Sequence, residues 1–166
     1  MRHTISLFLQ NEAGALTRVA GLFSSRGYNI ESLHVAPTQD HSLSRLTLVT
    51  TGSDVVIQQI CNQLLKLVDV VDLADMTEGD HLERELLLLK LQLDSVPGEA
   101  LAARLSDLQA RVLDERLESY TLEVTAGGLD IDRLIGDIAA FPGVSEVLSV
   151  VRSGVVAISH GTPAIR

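Results

Sequence analysis

The chain has 166 residues, and 13 basic against 22 acidic side chains give a formal charge of -9. Hydrophobic residues make up 46% and charged ones 21%, so a core is available and disorder is excluded by composition. The acidic balance and 3% aromatics leave no basic face to displace phosphate counterions and few rings to stack on bases, which argues against nucleic acid as a partner. One cysteine, Cys61, excludes an intramolecular disulfide and a cysteine-rich zinc site. Met1-Arg2-His3-Thr4 leads directly into an alternating run, and no stretch approaches the ~18 apolar residues of a membrane helix. The expectation is a soluble cytoplasmic protein that binds neither membrane nor nucleic acid.

Ile5, Leu7 and Leu9 alternate with polar residues, which predicts a first strand with one buried face. Asn11-Glu12-Ala13-Gly14 interrupts it. Leu16, Val19, Ala20 and Phe23 then recur at helical spacing, and Gly27 sits where a helix end favours a left-handed residue. Tyr28 to Val35 reads as a second strand with a stumble at Glu31-Ser32. A turn over Thr38–Ser42 leads to a third strand ending at Thr50. Ser53 is a candidate N-cap for a helix carrying Val56, Ile60, Leu64 and Leu67. Val68 to Met76 gives a fourth strand. The order β-α-β-β-α-β is the ferredoxin-like plan.

The second half repeats that order about 80 residues on. Leu87, Leu89, Leu91 and Leu93 alternate in a strand, Pro97 opens a helix bearing Leu101, Leu105 and Leu108, and strands follow at Val112–Arg116 and Tyr120–Ala126. Asp130 is a candidate cap, with Leu129 and Leu134 as a hydrophobic staple, for a helix ended by Pro142-Gly143. Val144–Val151 closes the unit. The chain therefore reads as α+β, with two tandem ferredoxin-like βαββαβ domains over residues 1–77 and 78–166, and Thr77–Glu85 as linker. Helices cover one face of each sheet. The apolar residues Phe8, Val71, Leu73, Leu86 and Leu88, placed on bare faces and edges, point to a second copy of the chain in a twofold dimer.

The loop Asn11–Leu16 joins a strand to a helix N-terminus, where free amides and the helix dipole hold a small carboxylate. Gly14 permits close approach of a ligand, and Asn11 both donates and accepts. A capped turn with Gly14 present only for backbone shape fits the same residues. Asn29 is either an ordinary turn residue or an amide aimed at a small polar ligand. The five histidines lack metal-ligand spacing, and His34 and His41 could meet only across the hairpin. Cys61 reads as a small buried side chain, and Asp69, Asp72, Asp75, Glu78 and Asp80 as a solvated edge. Arg152-Ser153-Gly154 reads as an anion contact or as a turn with a surface arginine. No catalytic constellation assembles.

The segments N-E-A-G-A-L (11–16), R-G-Y-N-I-E-S-L (26–33), A-P-T (36–38), L-S-R (43–45), H-L-E-R-E (81–85) and R-S-G-V-V (152–156), with Ser119-Tyr120-Thr121, resemble the regulatory small subunit of acetolactate synthase, also called acetohydroxyacid synthase. Its N-terminal half is an ACT domain. The resemblance implies a non-catalytic chain that binds and activates the catalytic large subunit and confers feedback inhibition by valine in branched-chain amino acid biosynthesis. It implies no cofactor on this chain, since thiamine diphosphate, magnesium and FAD would belong to the partner. It also implies a homodimer through the ACT domain, with L-valine at the interface. Asn11, Gly14, Ala15 and Leu16 would hold its carboxylate end, Asn29 and Ile30 of the neighbour the other side, and Ala36 the aliphatic pocket. A free-standing amino-acid sensor and a small acylphosphatase-like hydrolase using Asn11 and Arg18 are the alternatives.

Overall fold

The computed structural model describes residues 1–77 and 79–165, and the chain divides into two compact units, Met1–Leu82 with Val155–Arg166 and Glu83–Gly154. In the first, β1 (Arg2–Gln10), α1 (Ala15–Ser25), β2 (Ser32–Pro37), β3 (Leu43–Thr51), α2 (Asp54–Leu64) and β4 (Val70–Asp75) follow the expected order. The sheet is antiparallel, ordered β2-β3-β1-β4. Ile5, Leu7 and Leu9 face Val19 and Phe23 of α1 and Ile57, Ile60 and Leu64 of α2 in an almost wholly aliphatic core. Cys61 is buried there, as its place in the helix pattern predicts.

In the second unit β5 (His81–Leu93), whose first two residues belong to the first unit, is followed by α3 (Glu99–Asp107), β6 (Arg111–Asp114), a 3₁₀ turn (Leu117–Ser119), β7 (Tyr120–Ala126), α4 (Gly128–Ile138) and β8 (Val144–Arg152). The strand order β6-β7-β5-β8 reproduces the first sheet's pattern, and Leu87, Leu89 and Leu91 meet Leu101, Ile131, Leu134 and Ile138. The α+β architecture of two βαββαβ units is thus present.

Several local expectations change. Residues 28–31 precede β2 rather than form it, and the end of α1 holds Tyr28. Gly27 takes φ +69°, its amide donates to the Ser24 carbonyl, and the Tyr28 amide donates to that of Phe23. The Tyr28 ring then packs edge-on against Phe23, with ring centroids 6.2 Å apart, completing a Schellman ending with its hydrophobic contact. Ser53 occupies the N-cap of α2 but makes no side-chain cap bond. Pro97 lies before α3, whose N-cap is Gly98. Asp130 lies inside the first turn of α4, where the Gly128 amide donates instead to Glu83 Oε1 at 3.1 Å, and Leu129, 56% exposed, forms no buried staple.

The expected linker is partly strand, since β5 begins at His81. Leu73 lies opposite Leu7, on the helix-covered face, and packs into the first core; Val71, Leu86 and Leu88 are exposed and Phe8 is part-buried. Gly154 turns the chain at φ +76°, β9 (Val156–Ser159) follows, and residues 155–166 join the first unit with Val155, Ala157 and Ile165 buried. Among the described residues no helix is long and apolar enough to cross a membrane.

Candidate functional site

The β1–α1 loop is shaped by three backbone anchors. The Gln10 amide donates to the Asp69 carbonyl, the Asn11 amide to Ser42, and the Asn11 side-chain amide to the His41 carbonyl at 3.0 Å. Gly14 then takes φ +88°, a left-handed conformation that side chains disfavour, and serves as the N-cap of α1 without a capping side chain. The first turn carries no acidic residue to absorb the helix dipole. Ala15 is buried, while Asn11, Gly14 and Leu16 face solvent. The loop therefore offers backbone N–H groups and a partial positive charge at an accessible surface, the arrangement that favours a small carboxylate.

Arg18, one helical turn beyond Gly14, belongs to the same place. Its Nε and Nη2 both donate to the Asp69 carboxylate, the latter at 2.7 Å, and Asp69 is 2% exposed. The expected solvated edge is corrected at this position: the carboxylate is buried and paired. The hydrogen bond from Arg18 is the main reason the Asp69 carboxyl lies below the ordinary carboxylate range, and the same bond raises Arg18. A Cβ on Gly14 would come within 3.0 Å of Arg18 Nη1. The pairing was hidden in the sequence by a separation of 51 positions. The one available signal was Asp69 beginning an otherwise apolar strand entry. Glu78 lies outside the described residues.

Asn29 and Ile30 lie at the opposite end of α1. Eleven helical residues at about 1.5 Å each separate the two regions by roughly 16 Å. Asn29 has an exposed side chain and a carbonyl that accepts from Thr50 Oγ1 at 2.6 Å, while Ile30 packs on the first core. Within one chain the structure does not bring them to the Gly14 loop. Ala36 is in a third place, opposite Arg45 on the sheet face away from the helices, in an open cavity of about 550 Å³ with Phe8, His34 and Thr47. Arg152 is neither free nor at a turn. It ends β8 and grips Glu85, 2% exposed, at 2.7 Å and Asp132 at 2.8 Å, bonds that raise its own pKa. His34 pairs across to Thr47, whereas His41 lies in the following loop.

Comparison with known proteins decides the family. The model described as the AHAS small subunit-like ACT domain matches residues 5–72, and the model described as the small subunit of acetolactate synthase matches residues 84–161. The chain belongs to the acetolactate synthase small-subunit family. It is 42% identical over 166 residues to the acetolactate synthase isozyme 3 small subunit of Salmonella typhimurium, with 100% of each chain covered. It is also 42% identical to its Escherichia coli counterpart, again with 100% of each covered. The crystal structure of the acetolactate synthase small subunit from Thermotoga maritima superposes with a TM-score of 0.79 at 28% identity, covering 98% of this chain and 99% of that one. The ACT-domain match contains the Gly14 loop, the Arg18–Asp69 pair and Asn29.

Proposed function

We propose that this chain is the regulatory subunit of an acetolactate synthase, binding and activating the catalytic large subunit and making it subject to feedback inhibition by valine. The observation that carries the effector part is the uncapped N-terminus of α1 at Gly14, accessible and without a carboxylate in its first turn. On this reading Asn11, Gly14, Ala15 and Leu16 take the amino acid's carboxylate end. Asn29 and Ile30 of a second copy face its other side. The roughly 16 Å between the two ends of α1 is what calls for two chains, and so for a homodimer through the ACT domain. Ala36, on the far face of the sheet, borders neither end of α1 within a chain, and the reading rests on the other six residues.

Thiamine diphosphate, magnesium and FAD belong on this reading to the catalytic partner, and the chain works in the cytoplasm beside it. The coupling is allosteric: a ligand bridging two chains favours one arrangement of the dimer by its differential affinity. Calorimetric titration of L-valine into the purified chain, beside Asn29→Ala, tests it. The expected result is saturable binding that the variant loses. Absence of binding both to the free chain and to a complex reconstituted with the catalytic subunit would overturn the effector part, and failure to stimulate that subunit would overturn the regulatory one.

A further inference from the structure

The helix-free face of the first sheet carries two adjacent cross-strand rows, Ala36–Arg45–Phe8 and His34–Thr47–Ser6. All of these but the buried Ser6 floor the open cavity of about 550 Å³, and Val156 and Ala157 of the tail line it as well. Arg45 is the anomaly in this floor. Its guanidinium is part-buried, lies 5.6 Å from the Phe8 ring centroid and donates from Nε to Ser6 Oγ at 3.2 Å. Arg18, Arg116 and Arg152 each grip a carboxylate. Arg45, in a chain with 22 acidic residues, has no carboxylate in ion-pair contact among the described residues.

The nearest acidic group in its row, Asp72, stands beyond Phe8, two strands or roughly 10 Å away. Removing a cation from water without a counter-ion is unfavourable, and a ring face offsets only part of that. Burial accordingly pushes Arg45 below the ordinary arginine range, opposite to the paired arginines. Both terminal nitrogens of the guanidinium fork lack a protein acceptor among the described residues, and Thr47 and His34 add hydrogen-bonding groups in the next row.

We propose that this cavity is an oxyanion-binding site in which the Arg45 fork takes the carboxylate or phosphate group of a small solute. It is separate from the Gly14 loop and independent of the effector reading. The test is calorimetric titration of the full chain with sodium phosphate and, separately, sodium acetate, in a zwitterionic buffer without other oxyanions. Wild type is expected to bind at least one of them saturably. Arg45→Gln should weaken that binding about tenfold or more, as loss of a charge-assisted pair does.

Arg45→Lys preserves the charge without the fork and should bind between the two. It also guards against a Gln variant that fails to fold. Preference for phosphate assigns the site to phosphorylated solutes and preference for acetate to organic acids. Lack of saturation in wild type up to about 10 mM overturns the proposal, as does equal affinity in wild type and a folded Arg45 variant.

Discussion

Gly14 is where shape and charge at the β1–α1 loop can be separated by two substitutions. At φ +88° any side chain is strained, by about 1–2 kcal/mol. The added Cβ would also meet Arg18 Nη1 at 3.0 Å, the far end of a flexible side chain that can give way. Gly14→Ala should therefore fold with a lower melting temperature, by about 4–15 °C for a unit of this size. Gly14→Asp carries the same strain but places a carboxylate beside Arg18 and the first-turn amides, filling the anion's place with its own charge. In the enzyme reconstituted with its catalytic subunit, Gly14→Asp should raise the half-inhibitory valine concentration about tenfold or more, equivalent to about 1.4 kcal/mol, while stimulation persists. Circular dichroism melts and valine inhibition curves on both variants are the assay. If Gly14→Asp were inhibited at the wild-type valine concentration, or if Gly14→Ala were as insensitive as Gly14→Asp, the charge argument would be wrong.

Asp69 titrates below the ordinary carboxylate range because Arg18 hydrogen-bonds its charged form, so its contribution to stability is present above the unfolded carboxylate pKa and lost as pH falls through the folded one. Relative to Asp69→Asn, wild type should thus lose an extra increment of stability below about pH 4, measured by denaturant midpoints against pH. Burial, with Asp75 adding to it, pushes the Cys61 thiol up to about 11. At pH 8 its native thiolate fraction is then ~0.1%, and it should react with a thiol reagent only on unfolding; rapid native labelling would contradict this. Leu89→Ala should destabilise the second unit by about 2–5 kcal/mol, since Leu89 is fully buried, whereas Leu88→Ala, one residue away and 37% exposed, should cost well under half of that in the same urea titration.

The alternation of Leu87, Leu89, Leu91 and Leu93 and the stripes in α1, α2 and α4 were legible because a buried face imposes a period on the sequence. What failed was local. Tyr28 looked like strand because its aromatic ring suits one, yet that ring is used to close the end of α1 against Phe23. Asp130 looked like a cap, yet the helix start is satisfied from Glu83, 45 residues away. Val155 and Ala157 alternate with Val156 and Ile158, so β9 was visible in principle; no pattern within five residues says which unit such a strand will join. At the β1–α1 loop, the special backbone of Gly14 was legible from residue type. The Arg18–Asp69 pair and Arg45, which has no carboxylate partner among the described residues, were not, since each is defined by what lies across a sheet or a helix end.

The distance along α1 has a consequence for binding itself. If the carboxylate end of valine is held at Gly14 of one chain and its remainder at Asn29 of another, a monomer holds at most half of the contacts. Apparent affinity is then the intrinsic affinity reduced by the fraction of chain that is dimeric. Dilution through the dimer dissociation constant should weaken valine binding in proportion, about tenfold where a tenth of the chain remains paired. By reciprocity, saturating valine must tighten the dimer by the same coupling. Sedimentation of the chain with and without valine, alongside binding isotherms over a range of protein concentration, measures both sides. A valine affinity that stays constant down to concentrations at which the chain sediments as a monomer would place the whole site within one chain and refute the two-chain arrangement.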